Sequence, residues 1–358
     1  MMRVLVIVPG YPADASDSAS MPAVVCFIKA LNRAADVQVL SLQYPYEPRA
    51  YVLDEVKVDA LGGAHRAWAR VRLMARALSV AKSYHRASSF QAVHAFWLGE
   101  SSFLGQRLAK SWGVPFVASV GGQEAKQPSL LSRRLDRKQA TVTAGSAFAS
   151  AWLARTTGRS ADQVIPLGLD VEDWPRGPQP SKDIDVLGVG SLSTLKRYHE
   201  WIEVVRALAV EQPNLRAVLA GDGPERGRLE QLIQRYGLSR HIELLGLRPR
   251  EEVLPLMRRA RVLLHPSDYE SQGYVFLEAL HAGADVVSRP VGHRPPGPYV
   301  REANDVAGFV AATRTALARP ARKPQAVPTT ADTVAAFMSL YRGVRPPLGS
   351  DPAGGPTP

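Results

Sequence analysis

A single cysteine, Cys26, in a chain of 358 residues leaves no partner for an internal disulfide framework. That scarcity fits a reducing compartment, and a cytoplasmic protein is the expectation. No stretch approaches the ~18–20 consecutive apolar residues of a transmembrane helix. Hydrophobic residues still make up 46% of the chain, ample for globular cores. The start, MMRVLVIVPGYP, lacks a small-residue cleavage site, so its Val-Leu-Val-Ile-Val core reads as a first buried strand and not as a signal peptide. Acidic residues are the minority: 33 Asp and Glu face 44 Lys and Arg, for a net charge of +11. Such an excess attracts nucleic acid, an anionic membrane surface or anionic small substrates. Zinc-finger spacing, an RNA-recognition signature and a helix-turn-helix pattern are all missing, which ranks nucleic acid last. No cluster of metal-ligand residues stands out either.

What is present is a regular alternation of short apolar runs and amphipathic segments, in a chain long enough for about two domains of ~150 residues. Arg3–Val8 reads as a strand, Pro9–Pro22 as a loop, Ala23–Ala34 as a helix and Asp36–Leu42 as the next strand. A βαβ start of this kind indicates a parallel sheet covered by helices. The alternation continues through strands at Gln91–Trp97, Pro115–Val120, Ala140–Ser146 and Gln163–Gly168, with helices at Ser101–Trp112 and Ala147–Arg155. Val171–Lys182 is rich in Pro and Gly and reads as a linker. A second series follows: strands Val186–Gly190, Leu215–Ala220, Ile242–Leu245, Arg261–His265 and Val286–Ser288, with helices Arg226–Tyr236 and Glu251–Arg259. Thr329–Tyr341 has Val334, Phe337, Met338 and Tyr341 at helical spacing, and Arg345–Pro358 has little to bury and is expected to be disordered.

Arg66–Arg86 reads as a helix carrying Arg66, Arg70, Arg72, Arg76, Lys82 and Arg86 with no acidic residue. An ordinary solvated basic face is the favoured reading. Peripheral contact with an anionic membrane, at its inner face, is the alternative.

The most informative stretch is Arg261–Gly283. A Val/Leu-rich strand leads into a loop, Pro266–Gly273, and then into a helix that Gly283 stops. A helix start at the mouth of a parallel sheet favours anions, phosphate above all. Glu270 in the loop and Glu278 in the helix frame it, and an ionised carboxylate accepts hydrogen bonds from hydroxyls. Two tempting motifs fail. Gly188-x-Gly190 lacks a third glycine at Ser193, which argues against a dinucleotide dehydrogenase. Asp183-Ile184-Asp185 lies at the amino end of a strand, away from where such sheets bind ligands, and reads as a solvated strand entrance, not a metal site.

The Glu-x7-Glu spacing of Glu270 and Glu278, with Gly273 between and Ala279 and Gly283 after, resembles the signature of glycosyltransferase family 4. Lys196 after the Val186–Gly190 strand, the turn Gly221-Asp222-Gly223-Pro224, and Gly246 precede it in that family's order. The resemblance spans most of Arg3–Val291. It implies the α/β GT-B fold: two Rossmann-like, doubly wound parallel-sheet domains facing a central cleft. Residues 1–170 would form the acceptor-binding domain and 183–325 the donor domain. Residues 326–344 would form a helix packing back on the first.

By this resemblance Glu278 meets the donor ribose and Glu270 the transferred sugar. The backbone of Gln272, Gly273, Tyr274 and Val275 lines sugar and diphosphate. Lys196 neutralises the diphosphate, with Ser191 at the position of a usual arginine and Arg197 where glycine is usual. Gly223 lies by the nucleotide, and the backbone of Leu247 and Arg248 holds the base. On the acceptor side, Gly10 is the only glycine of the first loop. Gly121-Gly122 replaces the usual His-Gly, so either their backbone or the side chains of Gln123 and Glu124 meet the substrate. His94 is a tempting substitute, but a plain strand-end histidine satisfied by hydrogen bonds is the favoured reading.

The implied activity is transfer of a sugar from a nucleotide-diphosphate sugar to an acceptor hydroxyl with retention, with Glu270 and Lys196 catalytic and no metal or cofactor. The acceptor would be a glycan, a lipid-linked species or a small molecule, in bacterial glycan, glycolipid or natural-product glycoside synthesis. A nucleotide-sugar epimerase and a degenerate nucleotide-binding protein, the latter suggested by Ser191 and Gly121, are the alternatives.

Overall fold

The computed structural model describes residues 1–17, 21–63 and 70–344. The chain divides into two compact units, Met1–Gly168 joined by the chain from Thr329 onward, and Leu169–Pro328.

In the first unit the described residues form a sheet of order β3-β4-β2-β1-β5-β6-β7-β8. Its strands are β1 Arg3–Gly10, β2 Asp36–Tyr44, β3 Arg49–Leu53, β4 Val56–Ala60, β5 Ala92–Phe96, β6 Phe116–Val120, β7 Thr141–Ala144 and β8 Gln163–Val164. All neighbouring strands pair in parallel except β3 with β4. The unbroken apolar run of β1 follows from cover on both faces. Val4, Val6 and Val8 pack with helices α1 (Pro22–Ala34) and the chain-terminal helix Thr330–Tyr341. Leu5 and Ile7 pack with α2 (Arg70–Ala87), α3 (Glu100–Trp112) and the helix Ala147–Thr157. Thr329 and Asp332 close a reciprocal capping box at the start of the Thr330–Tyr341 helix.

The basic helix therefore runs over Arg70–Ala87, with residues 66–69 of the expected segment outside the described residues, as is the tail Arg345–Pro358. Arg70 pairs with Glu100 at 3.1 Å.

The second unit has the order β11-β10-β9-β12-β13-β14, all parallel. The strands are β9 Ile184–Val189, β10 Ala217–Ala220, β11 Ile242–Gly246, β12 Ala260–His265, β13 Asp285–Ser288 and β14 Val300–Glu302. Between them run helices Tyr198–Glu211, Arg226–Arg235, Arg250–Arg259, Tyr274–His281 and Val306–Leu317. Strand order reverses at β9 and β12 here, and at β1 and β5 in the first unit. In doubly wound sheets the ligand crevice opens at the carboxyl ends of the strands flanking that reversal.

Candidate active site

At the second reversal point, the chain leaving β9 and the chain leaving β12 bring opposite charges together. Beyond β9 it makes a short 3-10 turn, Thr194–Lys196. The connection stays low because glycines face it. A Cβ at Gly221 would lie 1.9 Å from the Gly190 carbonyl oxygen, and one at Gly223 would lie 2.6 Å from that of Leu192. Only a residue without a side chain permits such close approach, so Gly223 shapes the turn. Leu192 N–H donates to the Asp222 carbonyl at 2.9 Å and Glu225 N–H to the Leu192 carbonyl at 2.9 Å, tying the two loops together.

Lys196 Nζ then donates to Glu270 Oε1. His265, the last residue of β12, donates Nε2–H to the same oxygen at 2.6 Å. All three side chains are largely enclosed, at 18%, 14% and 1% exposure for Lys196, Glu270 and His265. Burial pushes the Glu270 carboxyl up, but Lys196 and His265 outweigh it and hold the group at about 2. Glu270 is therefore ionised and can only accept, which assigns the hydrogen to His265 Nε2. Burial lowers the His265 imidazole, with Glu270 opposing, so it is neutral near pH 7.

Gly273, with φ 73, turns the chain into the helix α9 (Tyr274–His281), whose start carries no side-chain cap. A Cβ at Gly273 would meet the Phe276 ring at 2.5 Å. The Gln272 carbonyl accepts from His293 N–H at 2.5 Å, so the loop after β13 braces the start of α9. Glu278 lies within α9, buried, and its Oε1 accepts from Arg250 Nε at 2.8 Å. Burial raises the Glu278 carboxyl and Arg250 opposes the rise.

The remaining cations and exposed groups of this unit divide clearly. Arg197, with φ 51, is committed elsewhere: its guanidinium pairs with Glu200 (Nε–Oε1 2.8 Å) and with Asp268 at 3.2 Å. Arg289 pairs with the same two acids, at 2.7 and 3.5 Å. Arg197, at the position where glycine is usual, thus has its charge shared with Glu200 and Asp268. Ser191 is exposed. Leu247 is exposed beyond β11, where Arg248 pairs with Glu252 at 3.3 Å. Asp183 and Asp185, at the amino end of β9, are spent on Arg259, Arg216 and Arg261.

In the first unit, Gly10 closes β1 in register with Tyr44. His94 lies on β5 but faces the core, fully buried. Its Nδ1 and Nε2 meet the Tyr341 hydroxyl at 2.6 Å and the Ser119 hydroxyl at 2.7 Å, and burial depresses it to about 3. His94 is therefore the hydrogen-bonded strand histidine of the favoured reading, and its alternative as a cleft residue is corrected: the pleat turns it toward Phe27 and Phe337. The place beside Gly121 is filled by Trp97, whose backbone is left-handed at φ 68. A Cβ at Gly121 would lie 2.4 Å from the indole, and one at Gly122 3.0 Å from its Nε1. Glu124 Oε1 accepts from Gly121 N–H at 2.6 Å and Leu98 N–H at 3.4 Å. Glu124 thus holds the loop together and is not a free substrate contact, whereas Gln123 is exposed.

Residues 23–190 match the model of the glycosyl transferase 4-like domain, and residues 171–321 match glycosyl transferases group 1. The chain belongs to the family 4-like glycosyltransferases. Among curated relatives, the chain is 27% identical over 237 residues to glycogen synthase of Mycobacterium tuberculosis, covering 60% of this chain and 57% of that protein. It is 35% identical over 134 residues to the gpi3 subunit of the phosphatidylinositol N-acetylglucosaminyltransferase of Schizosaccharomyces pombe, covering 37% and 29%. The chain thus spans less than two thirds of the length of these relatives. Among solved structures, HepE from Anabaena in complex with UDP and glucose superposes with a TM-score of 0.65 at 19% identity, covering 95% of each chain. A sucrose-phosphate synthase from Thermosynechococcus elongatus gives 0.69 at 19%, again over 95% of each. At such identities the likeness shows the fold, which is the GT-B class.

The structure brings Lys196 and Glu270 into contact and sets Glu278 on the helix that follows. It adds three residues that sequence reasoning missed. His265 had a signal, since it closes the strand entering the Glu-x7-Glu stretch. Arg250 and Trp97 had none beyond lying just past a strand end.

Proposed function

We propose that the protein transfers a glycosyl group from a nucleoside-diphosphate sugar to an acceptor hydroxyl with retention at the anomeric carbon. The observation that carries this reading is the Lys196–Glu270–His265 cluster at the carboxyl ends of β9 and β12, beside the uncapped start of α9. One cation and one helix start supply positive potential for a diphosphate. Two carboxylates, Glu270 and Glu278, supply acceptors for sugar and ribose hydroxyls. The backbone of Gln272 to Val275 lines the sugar and diphosphate, Gly223 lies by the nucleotide, and the backbone at Leu247 and Arg248 takes the base. The bond from the anomeric carbon to the diphosphate oxygen breaks as the acceptor oxygen bonds to the same face. The acceptor's proton passes to the leaving diphosphate. Lys196 stabilises the charge that grows there, so positioning and electrostatics do the chemistry without a metal or a covalent nucleophile.

HepE of Anabaena, solved with UDP and glucose, supports a uridine nucleotide as the first donor to test. A glycan, a lipid-linked glycan or a small molecule is the proposed acceptor, in glycan, glycolipid or natural-product glycoside synthesis. The intact Lys196–Glu270 pair favours an active enzyme over a degenerate binding protein. Slow donor hydrolysis needs no acceptor and tests the stereochemistry: NMR of UDP-, GDP-, ADP- and TDP-sugars should show the released sugar first as the donor's own anomer. First appearance of the opposite anomer refutes retention, and no release from any donor refutes turnover.

A further inference from the structure

Glu270 Oε1 accepts from two donors of unlike freedom. Lys196 ends a flexible four-carbon stem on a short 3-10 turn. His265 closes a buried strand, and its ring stands edge-on to Phe276 with centroids 5.2 Å apart and planes at 85°. Among the described residues its buried Nδ1 has no hydrogen-bond partner, and the ring's one hydrogen bond there is with Glu270. Packing fixes the imidazole, and its one hydrogen bond is aimed at the carboxylate.

A diphosphate at this point competes with Glu270 for Lys196. If Lys196 were the sole anchor, its departure would leave an enclosed, ionised carboxylate without a donor, a costly state. We propose that His265 is a positioning residue that holds Glu270 while Lys196 turns from the carboxylate to the donor diphosphate. This inference rests on the donor site proposed above. Donor binding thus exchanges one ion pair for another. Glu270 stays oriented by His265, with Oε2 and the vacated side of Oε1 open to sugar hydroxyls. His265 acts on recognition of the sugar and not on the diphosphate.

Calorimetric titration of UDP and UDP-glucose into wild type, His265→Leu and His265→Gln tests this, with GDP, ADP and TDP and their sugars substituted if wild type prefers another base. The expected result is a nucleoside-diphosphate Kd within about threefold of wild type in all three proteins. The preference for the nucleotide sugar over the bare nucleotide should fall about tenfold or more in His265→Leu, the loss of one hydrogen bond to a charged group. His265→Gln should restore most of it, since its amide reaches as far as Nε2. If His265→Leu does not fold, His265→Asn replaces it, because its amide is too short to reach Glu270. Equal losses for nucleotide and nucleotide sugar overturn the inference, as does a Gln variant no better than Leu or Asn. If wild type binds none of the nucleotides, the donor site itself fails, and the inference with it.

Discussion

Replacing Gly121 by alanine places a methyl group inside the space held by Trp97. The added carbon would lie 2.4 Å from Cδ2, 2.5 Å from Cε2 and 2.9 Å from Cε3 of the indole, far inside ordinary contact. The ring is poorly placed to retreat. Trp97 N–H donates to the Ser119 carbonyl and the Trp97 carbonyl accepts from Gly99 N–H, both at 2.9 Å, while Glu124 ties Gly121 to Leu98. Overpacking of this kind costs about 1–3 kcal/mol. Against it, loss of glycine's freedom in the unfolded chain stabilises by about 0.4–1 kcal/mol. The clash wins by about 1–2 kcal/mol, a fall in Tm of roughly 2–8 °C for a unit of this size. Removing the ring should remove the penalty: in the Trp97→Ala background, Gly121→Ala should be neutral or slightly stabilising. Urea and thermal melts of the four proteins measure this cycle. A Gly121→Ala protein within 1 °C of wild type, or a double variant showing the plain sum of the single losses, refutes the proposed contact between Trp97 and residue 121.

Other perturbations follow the same logic. His94 is held neutral down to about 3 in the fold but titrates near its ordinary 6.5 when unfolded. Stability should therefore be full above pH 6.5 and fall between there and pH 3, because the unfolded chain takes up a proton the fold refuses. By pH 5 this amounts to about 2 kcal/mol. Urea melts of His94→Gln should show a flatter pH dependence than wild type, and an unchanged slope contradicts the assignment. Arg250→Ala leaves Glu278 buried without its cation and should cost about 3 kcal/mol in a urea melt at pH 7. Adding Glu278→Gln should recover part of that, whereas a loss under about 1 kcal/mol speaks against the pair. For the Arg70–Ala87 helix, a solvated basic face predicts equal sedimentation with neutral and anionic vesicles at physiological salt. Binding to anionic vesicles alone indicates a membrane-facing role instead.

Much of the framework was readable along the chain because its signals are local. The runs of β1, β9 and β12 and the helix after Gly273 carry their periods within a few residues. Tertiary facts were not. The hairpin β3–β4 turns through Asp54 and Glu55, at φ 49 and 64, without the glycine that announces such a turn. His94 sits in an apolar strand with both faces covered, so no alternation told which way it points. Arg197 follows Lys196 directly, yet Glu200 and Asp268, which also pair with Arg289, claim it. Arg250 meets Glu278 across 28 positions of sequence, a distance no local pattern spans. The Gly121 departure is read as a packing demand only once Trp97 is seen against it.

The donor site at Lys196 is tested most directly by thermal shift with UDP, GDP, ADP, TDP and their sugars, on wild type and Lys196→Ala. A ligand at 100 times its Kd adds ~2.7 kcal/mol of stability. The expected result is a clear rise in Tm for one nucleotide family, largely lost in Lys196→Ala. No rise with any nucleotide, or an equal rise in both proteins, contradicts a diphosphate held by Lys196.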